Sequence, residues 1–180
     1  MSIRHAILGY LSWQPMTGYE LKKLFAGSLF IPWSGNNNQI YRTLVQLHDE
    51  ELVKLEVQQQ PSAPPRKIYT TSEKGLHELQ QWLMSPPEAP VSKKTFLLQL
   101  AWSDLLESSA LQGQVDQYEH EVQMRLLMCQ EQLRRGQTEP ARTARERKLW
   151  QAIADNWIAT YEMELQWLKD LRALLLEPES

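Results

Sequence analysis

The segment from residue 34 to residue 71 constrains the fold more than any other part of the chain. It begins with isoleucine or leucine at positions 40, 44 and 47, the spacing of one buried helix face. Residues 52–57 then alternate apolar and charged side chains, which is the period of a half-buried strand, and residues 66–70 resume that pattern. Three prolines in residues 58–65 predict that no strand continues there, because proline has no N–H group for a ladder. The order helix, strand, tip, strand predicts a winged helix.

The opposite face of this helix carries amide, hydroxyl and guanidinium side chains, including Thr43. Asn, Gln and Arg can each form paired hydrogen bonds with base edges in the major groove. We therefore predict a DNA-recognition helix over residues 36–49 and a wing over residues 53–71 that lies on the flanking backbone. A merely solvated face would show the same pattern, and the two tyrosines of the set also suit core packing. The predicted DNA-binding residues are Tyr19, Lys22, Asn36, Asn37, Asn38, Gln39, Tyr41, Arg42, Gln46, Arg66 and Lys67.

The segments before and after this stretch complete a helix-turn-helix arrangement. Residues 3–13 predict a first helix, and Thr17 and Glu20 have the spacing of a capping box that opens a second helix. Three prolines in residues 86–90 predict a stiff connector. The predicted domains are a winged helix over 1–85, a proline-rich linker over 86–93 and a C-terminal helical domain over 94–180.

The C-terminal half is predicted to be a dimerisation domain. Apolar periodicity indicates a short helix over residues 94–102 and long helices over 107–135 and 141–176. The last helix would be roughly 50 Å long, and its apolar stripe is longer than one subunit can bury. Such a long pattern is typical of helices that pair with a partner, so we predict a homodimer. The predicted dimerisation residues are Trp150, Ile153, Trp157, Tyr161, Leu165 and Leu168.

Charge and cysteine content limit the other classes of function. Residues 1–85 carry eight basic and seven acidic side chains, and residues 86–180 carry eleven and fifteen, so any DNA-binding surface is a local patch. The single cysteine suits a reducing cytoplasm, and no apolar run approaches the ~20 residues that cross a membrane. The four histidines lack metal-ligand spacing. We predict a cytoplasmic protein with no membrane partner, metal, cofactor or enzymatic activity.

Four motifs, taken in this order, resemble the PadR-like family of transcriptional regulators, particularly its virulence-activator branch. They are an opening apolar helix over residues 7–11, a T-G-Y-E-L motif over 17–21, a recognition-helix motif over 39–44 and an R-K-x-Y wing motif over 66–75. The resemblance covers nearly the whole chain. It implies a homodimer that binds double-stranded DNA sequence-specifically and regulates transcription. Two segments depart from the family pattern: Glu50-Glu51 stands where Gly is common, and residues 36–38 are asparagines where Gly-Thr or Gly-Ser is usual.

The predicted fold is therefore mainly α with a small β wing: an N-terminal winged helix-turn-helix domain and a C-terminal antiparallel helical dimerisation domain. An alternative function is a helical dimer that chiefly binds a small aromatic effector or a protein partner, with DNA binding secondary, since some PadR-like dimers bind flat aromatic effectors. Tryptophans at helical spacing also fill a core or a dimer seam, and we favour that interpretation. The residues concerned are Trp102, Trp150, Trp157 and Trp167.

Overall fold

Seven α-helices and one three-stranded antiparallel sheet are found in the part of the chain that the computed structural model describes, residues 3–31, 37–60, 63–87, 89, 94–136 and 141–176. The described residues divide into two compact units, Met1–Glu88 and Ala89–Ser180. This architecture confirms the prediction of a mainly helical chain with a small β wing. None of the described helices is both long and apolar enough to cross a membrane.

The first unit has the element order of a winged helix, and its sheet has the order β1-β3-β2. Its elements are α1 (Ile3–Leu11), β1 (Met16–Thr17), α2 (Gly18–Gly27), α3 (Asn37–Asp49), β2 (Val53–Gln60), β3 (Ala63–Thr71) and α4 (Glu73–Met84). The helices and the sheet close over one apolar core. Its largest fully buried members are Tyr10, Ile7, Leu8, Leu21, Ile40, Leu44, Leu47, Leu52 and Val53.

The predicted capping box at the start of α2 is confirmed. The Thr17 hydroxyl accepts a hydrogen bond from the Glu20 backbone N–H at 3.2 Å, and the Glu20 carboxylate accepts one from the Thr17 N–H at 2.7 Å. Thr17 is also the strand partner of Ile68. The cap therefore joins the N-terminus of α2 to the central strand of the sheet.

The prediction that the strands stop within residues 58–65 is wrong. Strand β2 continues to Gln60, which pairs with Ala63, and Gln58 pairs with Arg66. Between these two pairs β3 advances by three residues while β2 advances by two, so Pro64 and Pro65 lie in an irregular step of the ladder. A bulge tolerates proline because its extra residue is not paired. Residues 61 and 62 lie outside the described part of the chain.

The end of α3 has the form of a Schellman motif without glycine. The Leu52 N–H donates to the Leu47 carbonyl at 2.8 Å, and the Glu51 N–H donates to the His48 carbonyl at 2.9 Å. Glu51 adopts the left-handed conformation, with φ of +63°. Glycine is the usual residue at this position, so the departure from the family pattern at Glu50-Glu51 leaves the geometry of the helix end intact.

The second unit contains α5 (Thr95–Ala101), α6 (Ser108–Arg134) and α7 (Ala144–Leu175), with a short 3-10 turn at Ser103–Leu105. Helices α6 and α7 are antiparallel, because the start of α6 meets the end of α7 at the ion pair between Asp116 and Arg172. Their core includes Phe96, whose ring stacks on that of Tyr118 at 4.0 Å between centroids.

The predicted dimerisation stripe is partly covered within one subunit, and the prediction is wrong for Leu168. This side chain is fully buried, and Tyr161 and Leu165 pack against the same core. The reason is tertiary: the C-terminal half of α7 lies against α6 and Phe96, which the periodicity of α7 alone does not reveal. Trp150 and Trp157 are half-buried, and Ile153 is exposed.

Candidate nucleic-acid interface

Helix α3 has one buried face and one exposed polar face. Ile40, Leu44 and Leu47 are at most 1% exposed, and they anchor the helix in the core of the first unit. The polar side chains opposite them have no role in that core. The predicted site residues exposed on this side are Asn38, Gln39, Tyr41, Arg42 and Gln46.

The assignment of Thr43 to the polar face is wrong, since its exposure is only 6%. Thr43 lies three residues after Ile40 and four before Leu47. Those two spacings place it on the buried side of the helix. Asn36 lies outside the described residues, as does the side chain of Asn37, at which α3 begins.

The two tyrosines predicted to bind DNA lie at the surface. Tyr41 is 45% exposed and Tyr19 is 60% exposed, so Tyr19 is not a core residue. The Lys23 ammonium lies over the Tyr19 ring at 5.5 Å from its centroid. The Tyr41 ring covers Gly18, where an added Cβ would come within 2.6 Å of the ring. Glycine at the start of α2 thus permits the close approach of α2 and α3.

Val45 lies on the exposed side of α3 and was not among the predicted site residues. It is 55% exposed. It follows Arg42 by three residues and Tyr41 by four, so the three side chains are neighbours on the helix surface. That spacing could have identified it from the sequence, but a valine is usually assigned to a core. Apolar side chains contact the methyl group of thymine when they lie in the major groove.

The basic side chains of the predicted site differ in whether an acidic side chain forms an ion pair with them. No acidic side chain in the described part of the chain forms an ion pair with Arg42, Lys67 or Lys22. Arg66 differs, because its Nη2 donates to Glu20 Oε1 at 2.7 Å. The pKa of Glu20 is lowered, chiefly by the hydrogen bond from the Thr17 N–H and further by the Thr17 hydroxyl and by Arg66.

Arg66 and Lys67 were predicted together as backbone contacts, but they leave opposite faces of β3, since neighbouring strand residues alternate. Arg66 points toward the N-terminus of α2, where Glu20 holds it. Both side chains are exposed.

Reactive and metal-binding groups are sparse in the described residues. Among them, no group of three or more His, Cys, Asp or Glu side chains could hold a metal ion. Cys129 is buried within the second unit, and burial raises the pKa of its thiol. A thiol in this state is a poor nucleophile.

Two family models match the chain, one over each unit. The model of the transcriptional regulator PadR-like family matches residues 7–81, and the model described as virulence activator alpha C-term matches residues 92–175.

Two curated relatives each match about half of the chain. A probable transcriptional regulator of Mycobacterium tuberculosis is 36% identical over 86 residues, which is 48% of this chain and 46% of that protein. The negative transcriptional regulator PadR of Bacillus subtilis is 32% identical over 92 residues, which is 51% of this chain and 50% of that protein. The chain thus matches about half the length of these relatives.

Solved structures share the fold over almost the full chain. Bacillus subtilis PadR in complex with operator DNA has a TM-score of 0.82 at 21% identity, covering 96% of this chain and 98% of that one. The same protein in complex with p-coumaric acid has a TM-score of 0.77 at 21% identity, with coverage of 97% and 99%. The Vibrio cholerae virulence activator AphA has a TM-score of 0.72 at 22% identity, with coverage of 97% and 98%. At these identities the likeness establishes the fold.

Proposed function

We propose that the chain, whose residues 7–81 match the model of the PadR-like family of transcriptional regulators, binds specific sites in double-stranded DNA as a homodimer. In this proposal α3 enters the major groove, and the hairpin of β2 and β3 lies on the flanking phosphate backbone. Regulation then follows from occupancy of the site, with no chemical step.

The exposed face of α3 is the observation that carries the proposal. Gln39, Arg42 and Gln46 extend from a helix whose other face is fixed in a closed core. Amide and guanidinium groups are the side chains that form paired hydrogen bonds with adenine and guanine edges. A rigidly held helix orients those groups reproducibly, which sequence-specific recognition requires. Bacillus subtilis PadR, which has the same fold, was crystallised with operator DNA.

Electrostatics supports the proposal locally. The first unit has nearly equal numbers of basic and acidic side chains, so a general attraction to DNA is weak. Arg42 and Lys67 keep their charges unpaired with acidic groups of the described chain. Affinity depends on the phosphates neutralised at the contact, and two such cations on the exposed side of the unit are suited to that.

The homodimer is supported by the second unit. Trp150, Ile153 and Trp157 remain incompletely covered on α7 within a single subunit. A two-fold dimer presents two copies of α3, which would read half-sites about one helical turn apart, near 34 Å, or a multiple of that distance.

The test begins with selection of preferred duplexes from a random-sequence library by the full-length protein. We expect an inverted repeat to be enriched. On that duplex, Arg42→Ala should cost about 1–3 kcal/mol of binding free energy. Lys67→Ala should weaken binding to all sequences alike, and the slope of log affinity against log salt concentration should fall by about one. Lys148→Ala, which removes an exposed cation from α7, is the charge-matched control and should change little.

Two results would contradict the proposal. One is a library from which no sequence is enriched. The other is an Arg42→Ala protein that is folded and yet binds the enriched duplex at full strength, because α3 would then not be the reading element.

A small aromatic effector is a second candidate ligand. Trp150 and Trp157 are half-buried in one subunit, and Trp102 is 68% exposed, so flat apolar surface is present on the second unit. A structural relative was crystallised with p-coumaric acid. Calorimetric titration with p-coumaric acid, with benzoic acid as control, tests this candidate. The candidate is supported if p-coumaric acid alone gives saturable heat and also releases the selected duplex. It is rejected if p-coumaric acid gives no heat of binding.

A further inference from the structure

The acidic side chain of Glu20 lies against Arg66 of the wing, and both of its carboxylate oxygens accept hydrogen bonds. Glu20 Oε1 accepts from Arg66 Nη2 at 2.7 Å, although the two residues are 46 positions apart. The other carboxylate oxygen, Oε2, accepts from the Thr17 N–H at 2.7 Å and from the Thr17 hydroxyl at 2.9 Å. The helix cap thus orients the carboxylate before it meets the arginine.

The cap and the arginine are also joined through the sheet. Thr17 pairs with Ile68 in the β1–β3 ladder, and Arg66 lies two residues before Ile68 on the same face of β3. The Thr17–Glu20 bonds and the Glu20–Arg66 bond therefore close a ring of contacts between α2, β1 and β3. Among the described residues beyond this ring, β3 pairs with β2 alone, and a two-stranded hairpin by itself is marginally stable.

We propose that Glu20 is a positioning residue for DNA binding, which holds the Arg66 guanidinium at the base of the wing so that its remaining donors face a phosphate. This inference rests on the proposed DNA-binding function. A guanidinium has five N–H donors in a fixed fork, and the contact with Glu20 uses Nη2 alone. Glu20 can therefore hold the guanidinium while its other N–H donors remain available to a phosphate.

Two opposite effects of the Glu20 charge have to be separated. The carboxylate repels nearby phosphates, which weakens DNA binding. It also orders a long side chain before DNA arrives, which strengthens binding because less freedom is lost on association. Both groups are about half exposed, with 45% for Arg66 and 43% for Glu20, so solvent screens the repulsion. We infer that the ordering effect is the larger one.

The test is a double-mutant cycle on the duplex that the full-length protein selects. The four proteins are the natural sequence, Glu20→Gln, Arg66→Ala and the double variant. Glutamine preserves the capping box, since Gln as well as Glu serves at that position. With its oxygen on the Thr17 N–H, its amide group faces Arg66 as a donor and cannot hold the guanidinium.

We expect Glu20→Gln to weaken binding about threefold to tenfold on the natural background. On the Arg66→Ala background it should cause no loss, or a small gain, because only the repulsion is then removed. The salt dependence of binding by Glu20→Gln should also become weaker, toward that of Arg66→Ala, whose slope of log affinity against log salt concentration should fall by about one. Glu56→Gln, which removes another exposed carboxylate from the wing, is the matched control and should leave binding equal or slightly tighter.

The outcomes that overturn the inference are distinct. If Glu20→Gln binds as tightly as the natural protein or more tightly, repulsion is the larger effect and Glu20 does not position Arg66. If it loses the same affinity on both backgrounds, the loss arises from the α2 cap. Either result leaves the proposed function standing, provided that the natural protein binds its selected duplex. If the natural protein binds no duplex, both fail.

Discussion

The two units bury their apolar side chains to very different extents. Among the described residues, fifteen apolar side chains are buried in the first unit and seven in the second, although the units are nearly equal in length. Large apolar side chains that remain exposed show the reverse, with eight in the first unit and fourteen in the second. The first unit has a core of its own, whereas the second leaves apolar surface uncovered on two long helices.

This difference bears on the proposed homodimer. Extensive exposed apolar surface on a protein is typical of an interaction site. In the second unit the exposed set extends over all three helices and the turn between α5 and α6. It includes Leu97, Leu98, Trp102, Leu105, Leu127, Met128, Ile153 and Met163. The proposed homodimer places this surface against a second copy, while the closed first unit leaves its polar face for DNA.

The units also differ in the burial of their charged side chains. Among the described residues, no ionised side chain of the first unit is buried, whereas the second unit buries Glu164, which is 5% exposed. Its carboxylate accepts from the Tyr118 hydroxyl at 2.9 Å and forms an ion pair with Lys94. Burial and the neighbouring carboxylate raise the pKa of Tyr118. The buried carboxylate thus joins α7 to α6 and to the residue before α5.

The largest expected effect compares one glycine in each unit. A Cβ at Gly75 would lie 2.1 Å from the Leu52 carbonyl oxygen, and backbone cannot move aside cheaply. We expect Gly75→Ala to cost about 3 kcal/mol or more of unfolding free energy. Gly113 on α6 has open space, so Gly113→Ala should stabilise by about 0.5–1 kcal/mol. Hydrogen exchange resolved by peptide would assign each change to its unit. Equal effects at the two sites would contradict the contrast in packing.

The second prediction concerns the uncovered surface of α7. Trp157→Asp should weaken self-association about a hundredfold, because a large apolar group is lost and a carboxylate is left without a partner. Trp157→Ala should weaken it about tenfold. Sedimentation velocity over a concentration series measures both, and binding to the selected duplex should fall in step. An unchanged dimer in Trp157→Asp would remove α7 from the interface.

Local signals in the sequence were enough for most elements. The apolar row on α3 and the Thr17–Glu20 spacing depend on residues within two turns of each other, and both are found in the structure. The family motifs are also local, and the model of the family that they resemble matches residues 7–81.

The error at Thr43 was local, because its spacing to Ile40 and Leu47 already places it on the buried side of α3. The other errors arose where distant residues decide the outcome. Pro64 and Pro65 are accommodated by a bulge that depends on the register with β2. Leu168 is buried by other helices. The contact between Glu20 and Arg66 joins residues 46 positions apart, and no periodicity encodes it.

The third prediction uses pH to compare ion pairs in the two units. In the first, Arg4 bonds to Glu78 at 2.5 Å and also pairs with Glu50, and it lowers the pKa of both carboxyl groups. A lowered folded-state pKa gives stability that is present above the unfolded value, about 4.3, and is lost as pH falls through the folded value. Arg4→Met should therefore cost about 1 kcal/mol at pH 7, and this difference should be smaller at pH 3.

Chemical denaturation at the two pH values measures that difference. Arg172→Met, which removes the cation that pairs with Glu119 and Asp116 in the second unit, is the counterpart. Exchange data should show the Arg4 effect in the first unit and the Arg172 effect in the second. A loss for Arg4→Met that does not change with pH would mean that packing of its stem, rather than its charge, supports the first unit.

The smallest expected effect tests how finely the first unit is optimised. Glu51 adopts φ of +63° at the end of α3, a conformation that costs a residue with a Cβ roughly 1 kcal/mol. Its carboxylate contacts Lys74 only at 3.5 Å, between groups that are 83% and 61% exposed, and such a pair contributes little. Glu51→Gly should therefore stabilise the first unit by about 0.5–1 kcal/mol, measured by thermal and chemical unfolding.

Glu51→Ala removes the same charge but retains the Cβ, so it should give no gain. If alanine stabilised as much as glycine, the benefit would come from removing a charge beside Glu50, and the backbone conformation would carry no cost. If neither variant changed stability, the Schellman bonds of Leu52 and Glu51 would already compensate for the strain, and the closed core of the first unit would set the helix end regardless of the residue there.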